Sequence, residues 1–219
     1  MHSLILIATM RIFVGVDRRQ PIAAAVLAHS ISERSTEPVS ITMLHLHQLP
    51  ITRRGLTEFT YSRFLVPWLC NYEGRALFLD ADMLCLGDIR NLFALADDTA
   101  VQMVKNERRF EWPSLMLFNC AKCKVLTPDT VQNDERLFAL EWAESIGELP
   151  ATWNHLVGYD APTAAQLVHF TKGIPVWQET QDCEYADLWH AERKAMMSTY
   201  SYQELMGGSV HVAPRNNDV

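Results

Sequence analysis

Two aspartates separated by one residue, Asp80-Ala81-Asp82, follow directly on the apolar run Ala76-Leu77-Phe78-Leu79. Such a run reads as a core strand, so two carboxylates stand where burial stops. In an extended chain residues i and i+2 point the same way, which brings both carboxylates within reach of one cation. Hard oxygen donors suit Mn²⁺ or Mg²⁺, which keep positions open for phosphate oxygens. Taken alone, the same pattern fits solvated acids that end a strand.

Other residues carry chemistry only in combination. His169 lies in a short apolar strand and reads equally as a ligand or as a hydrogen-bonded core histidine. Arg63 is either a donor-facing cation or half of a surface ion pair. Asp17 ends the first strand, where it contacts a ligand or caps the next helix. Cys120-x-x-Cys123 is the only close cysteine pair, and with no second pair at zinc spacing it reads as structural. His45-x-His47 reads as strand alternation.

The elements that must position these residues follow from periodicity. Arg11 to Val16 is expected to form a buried strand, Pro21 to Arg34 a helix opened by proline, and Val39 to Leu46 a second strand. This β-α-β start predicts an α/β domain with a mostly parallel central sheet flanked by helices. Further along, helix is expected over Thr60 to Cys70, strand over Arg75 to Leu79, and helix over Ile89 to Leu95. Ala100 to Val104, Ser114 to Phe118 and Leu167 to Phe170 read as strands. Pro128 to Ile146 reads as mainly helical and Asp182 to Met197 as an amphipathic helix. Residues 1–9 read as an extension, 10–205 as one catalytic domain and 206–219 as a loose tail.

With 219 residues, 48% hydrophobic and 21% charged, the chain has the composition of an ordinary globular domain. Its net charge of −7 argues against a nucleic-acid binder, which carries a basic face. An anionic small molecule stays compatible, because one bound divalent cation reverses the local field. Five cysteines, an odd number set among apolar neighbours, fit reduced thiols and a cytoplasmic protein. No apolar run approaches the ~18 residues of a membrane span. The sequence assigns no oligomeric state.

Four spaced motifs resemble glycosyltransferase family 8. The first runs from Thr60-Tyr61-Ser62-Arg63-Phe64 through Gly74 and the strand to Asp80-Ala81-Asp82, with Asp88 opening the next helix. The second is Ser114-Leu115-Met116-Leu117-Phe118-Asn119-Cys120. The third is Leu149-Pro150-Ala151-Thr152-Trp153-Asn154, and the fourth is His169-Phe170-Thr171-Lys172-Gly173-Ile174-Pro175-Val176-Trp177. The resemblance spans roughly residues 11 to 178 in the family order. It implies the GT-A nucleotide-diphosphosugar fold and an enzyme that moves a hexose from a nucleoside diphosphate, UDP above all, to a glycan, lipid or protein acceptor with retention. Carried over by motif, Asp80, Asp82 and His169 bind Mn²⁺ (or Mg²⁺). Asp17, Arg63, Asp80 and Lys172 face the donor, and Asn119, Trp153 and Asn154 face the sugar or acceptor.

Two departures stand out. Lys172 precedes Gly173 where the family lysine follows the glycine, and the family's aspartate-glutamine pair has no clear match, Asn133-Asp134-Glu135 being the nearest. The catalytic residue is therefore unassigned. A relative that kept the fold as a binding or scaffold protein is the alternative. A nucleotidyltransferase is disfavoured by the lack of a glycine-rich phosphate loop.

Overall fold

The computed structural model of the protein describes residues 9–105 and 113–198. The expected extension (apart from Thr9), the stretch 199–205 of the expected domain and the expected tail 206–219 lie outside the described residues.

The chain opens with β1 (Met10–Gly15), α1 (Pro21–Arg34) and β2 (Val39–Leu44), the last strand ending two residues early in a 3-10 turn at Leu46–Gln48. The stretch around Arg63 is a 3-10 turn (Ser62–Leu65) continued by α2 (Val66–Leu69) rather than one helix. Next come β3 (Arg75–Leu79), β4 (Met83–Cys85), α3 (Ile89–Phe93), β5 (Val101–Val104) and β6 (Leu115–Asn119). Asp88 caps α3, its carboxylate accepting from Arg90 N at 3.0 Å.

The helix expected over Pro128 to Ile146 is broken. Only α4 (Pro128–Asn133) forms. Leu140 then takes a left-handed backbone (φ 58°), and β7 (Ile146–Leu149) pairs with β5. The spacing of Leu137, Leu140 and Ala143 fits a helical stripe, but the chain turns at Leu140 and β7 reaches the sheet edge. The chain continues with β8 (His155–Leu156), β9 (Leu167–His169) and α5 (Ala186–Met196). The last helix starts four residues later than expected because Tyr185 is left-handed (φ 63°).

Six strands form one sheet in the order β2-β1-β3-β6-β5-β7. β1 is parallel to both β2 and β3, and β5 is parallel to β7; β6 alone runs against its two neighbours. The sheet is thus mostly parallel, as expected. A second sheet, β4-β9-β8, continues from the end of β3. The core residues Ile12, Val14, Leu77 and Leu79 are fully buried. These four share one face, and Phe13 and Phe78 on the other face are buried too, as a covered parallel sheet requires.

Because β1 pairs on one side with β2 and on the other with β3, the connection reverses between β1 and β3. The crevice beyond the carboxyl ends of these strands is where open α/β sheets place ligands. Val14 pairs with Leu79, so Asp17 and Asp80 leave the sheet at the same edge. Gly15 is needed there: a Cβ at this position would lie 2.5 Å from the side chain of Phe59. Among the described residues, no helix is long and apolar enough to cross a membrane.

Candidate metal centre

Asp80 continues β3 by one residue, its N–H donating to the Ser114 carbonyl at 2.8 Å. The chain then turns into β4, whose antiparallel partner is β9, with Met83 opposite His169. The Asp82 carbonyl accepts from Phe170 N at 2.9 Å, extending that ladder to the aspartate itself. Backbone pairing therefore fixes His169 beside the aspartates. Asp80, Asp82 and His169 each offer one ligand atom within 4.8 Å of the others.

Arg63 closes the inner side. Its guanidinium donates to the Pro113 carbonyl (2.5 Å) and the Thr60 carbonyl (3.1 Å) and lies 3.1 Å from Asp80 Oδ1. It is buried, so it is not half of a surface pair. Burial pushes the Asp80 carboxyl up to about 7, and the Asp82 charge adds to this against the pull of Arg63 and His169. For His169, burial disfavours the cation, yet the Asp82 and Asp80 carboxylates outweigh it and raise the imidazole above its ordinary value.

Two acids crowded together at a buried edge are short of positive charge. Asp82 Oδ1 is buried, accepts no hydrogen bond among the described residues, and lies 3.5 Å from His169 Nε2, too far for a good bond. Two metal–ligand bonds of about 2.1 Å span at most about 4.2 Å, so modest closure of these side chains accommodates a small divalent ion. The donor set, two carboxylates and one imidazole, fits Mn²⁺ or Mg²⁺.

The remaining expected residues fall in three groups. Asn154 belongs beside the centre. It is buried, its Nδ2 donates to Ser114 Oγ at 3.0 Å, and its Oδ1 has no hydrogen-bond donor among the described residues. Ser114 thus links Asn154 to Asp80, its hydroxyl accepting from one and its carbonyl from the other. The role of Ser114 follows from the antiparallel run of β6 beside β3, which no local sequence signal announces. Trp153 is buried in the adjoining 3-10 turn, Ala151–Trp153.

Asp17 and Lys172 sit near the edge but in other surroundings. Asp17 does not cap α1, whose N-cap is Gln20. Its carboxylate takes Arg19 N at 2.9 Å and the Arg19 guanidinium at 2.5 Å, which holds it below the usual carboxylate range. It lines a cavity of about 310 Å³ with Arg54 and Glu58. Lys172 is exposed, lies 5.2 Å from the centroid of the Tyr159 ring, and lines a cavity of about 360 Å³ with Asp160, Glu179 and Glu184. None of the three candidate ligand residues lines that cavity.

The structure does not bring Asn119 to this centre. It pairs with Arg75, the first residue of β3, whereas Asp80 follows the last. The reversed direction of β6 is the reason: its amino end reaches the metal edge and its carboxyl end the far edge. Cys120 and Cys123 lie there too, both buried, and burial pushes the Cys123 thiol up to about 12, as befits a packed thiol rather than a ligand.

The chain has the GT-A fold of the glycosyltransferases that it matches in sequence and in structure. Residues 14–127 match the family model described as glycosyl transferase family 8. Protein CDI of Arabidopsis thaliana is 37% identical over 219 residues, covering 82% of this chain and 84% of that protein. The chain belongs to glycosyl transferase family 8. Among solved structures, the galactosyltransferase LgtC in complex with donor and acceptor sugar analogues superposes with a TM-score of 0.62 at 12% identity, over 87% of this chain and 98% of that one. The glycosyltransferase GlyE of Streptococcus pneumoniae TIGR4 gives 0.66 at 14% identity, over 84% of this chain and 61% of that one, so the chain spans less than two thirds of GlyE. At these identities the likeness speaks for the fold.

Proposed function

We propose that the protein transfers a hexose from a UDP-sugar to a glycan, lipid or protein acceptor with retention, using a divalent ion, Mn²⁺ or Mg²⁺, held by Asp80, Asp82 and His169. The observation that carries this reading is the convergence of these three side chains at the sheet's ligand-binding edge. A divalent cation there supplies electrostatic stabilisation to a diphosphate leaving group. Arg63 holds Asp80 in place and keeps positive charge behind it.

In this reading Asp17, on the same edge with Arg54 and Glu58 beside it, contacts the nucleoside. Asn154, with its free amide oxygen, is suited to accept a sugar hydroxyl. In the reaction the anomeric carbon–phosphate oxygen bond breaks as the bond to the acceptor oxygen forms, and the acceptor proton passes to the departing phosphate oxygen. Such front-face transfer needs no dedicated enzymatic base, in keeping with the unmatched aspartate-glutamine pair. Positioning and charge stabilisation supply most of the rate. Five free cysteines support a reducing, cytoplasmic location.

Lys172 reaches the diphosphate in this scheme once the exposed side chain leaves the Tyr159 ring. Steady-state hydrolysis of UDP-hexoses with Mn²⁺ tests both points. Wild type should turn over, and Lys172→Ala should lose about 10²-fold in kcat with a smaller change in donor affinity. Equal rates would make Lys172 a bystander. No turnover of any donor by the wild type would favour the binding-protein alternative.

A further inference from the structure

At the far end of β1 and β3 from the acidic centre lies a cavity of about 720 Å³. Three arginines from three elements line it, Arg11 of β1, Arg75 of β3 and Arg90 of α3, together with Glu37, Glu73 and Phe93. Arg11 is held by backbone, its Nε donating to the Arg75 carbonyl at 3.2 Å and its Nη2 to the Arg75 and Glu73 carbonyls. Arg90 Nε meets Glu37 Oε1 at 3.2 Å, which neutralises one carboxylate of the wall. Glu73 is exposed.

Arg75 is different. Its Nη1 is buried and finds no hydrogen-bond acceptor among the described residues. The acid that feels its charge, Asp97, gives its Oδ1 to Thr99, bonded at 2.8 Å by the N–H and 2.5 Å by the hydroxyl, and makes no hydrogen bond to Arg75 Nη1. A guanidinium nitrogen removed from water without an acceptor is unfavourable, so native structures seldom keep one without a use. The wall carries three cations against two carboxylates, and its free donor is the buried one.

We propose that Arg75, with Arg11 and Arg90, forms a second anion site that binds the phosphate group of a small molecule, separate from the donor site. Guanidinium groups arriving from three elements suit a tetrahedral oxyanion, which accepts hydrogen bonds from several directions. A cavity of several hundred Å³ exceeds bare phosphate and matches a small-molecule site, with Phe93 offering an apolar wall to the rest of the ligand. The strand from Arg75 to Asp80 spans about 17 Å at about 3.3 Å per residue, so one molecule of phosphate does not serve both places.

The test is titration of the full chain with inorganic phosphate in metal-free buffer, by calorimetry, at constant ionic strength with chloride as the control. Wild type should bind phosphate saturably. Arg75→Met should weaken it by at least about 10-fold, as loss of a charge-assisted bond would. Asp82→Asn should bind as wild type does. Because Arg75→Met removes a buried donor that no acceptor satisfies, its melting temperature without phosphate should be equal or higher. If that variant does not fold, Arg90→Gln, at an exposed position, takes its place with a weaker binding constant expected. Absence of saturable binding in wild type, equal binding by the arginine variant, or the same loss in Asp82→Asn would overturn the proposal.

Discussion

His169 Nε2 faces Asp82 Oδ1 at 3.5 Å across the β4–β9 ladder, which joins parts of the chain far apart in sequence. That spacing already lies within the roughly 4.2 Å that two ligands of one small divalent ion can span, and it is too long for a good hydrogen bond. Replacing His169 with alanine should weaken Mn²⁺ binding by about 10-fold or more, given what loss of even a supporting group costs a metal site. Isothermal calorimetry with the metal alone reads this, and an unchanged affinity would remove His169 from the ligand set.

Arg63 is a buried cation whose partner Asp80 is also buried. Removing one member of such a pair leaves an uncompensated charge, at a typical cost of about 3–5 kcal/mol. Arg63→Met should therefore lower the urea midpoint markedly. Saturating Mn²⁺ should recover more stability in the variant than in the wild type, because it supplies the charge that Asp80 lost. Equal metal responses would mean that Asp80 and the ion do not meet.

How legible this centre was depends on the range of the forces that build it. Asp80 and Asp82 were readable because an apolar strand ending in two acids is a local pattern. His169 beside them needed the pairing of two three-residue strands, β4 and β9, of which only β9 gave a local signal; the family resemblance supplied the link. Asn119 was misplaced because strand direction is not written in a strand's own residues: β6 runs against β3 and carries Asn119 to Arg75. The overlong helix after Pro128 failed for a similar reason, since pairing of β7 with β5 overrides helical spacing beyond Asn133. Strong local signals, such as Pro21 to Arg34, matched to the residue.

A second charged cluster fastens α5 to α1. Glu192, buried, accepts from Arg34 Nη2 at 2.7 Å and lies 2.5 Å from His29 Nδ1. Burial pushes this carboxyl up, but the bonds from Arg34 and His29 prevail and hold it below its ordinary 4.5. A depressed folded value gives stability that is complete above about 4.5 and lost as pH falls through the folded value. Glu192→Gln should cost about 1.5–3 kcal/mol at pH 7, with the gap to wild type closing in acid below that window. Urea melts at several pH values check it. A gap that stays constant with pH would mean that charge is not what holds the helix.

Asp82 stands at the mouth of the proposed metal centre. Asp82 is partly exposed at the mouth of the sheet, so Asp82→Ala should leave the ligand-free melting temperature close to that of wild type. With UDP and Mn²⁺ at about 100 times the dissociation constant, wild type should gain about 2.7 kcal/mol, a rise of roughly 5–10 °C for a domain of this size. That rise should vanish when EDTA replaces the metal and in Asp82→Ala under all conditions. A variant that keeps the full Mn²⁺-dependent rise would contradict the assignment of Asp80, Asp82 and His169 as the metal centre.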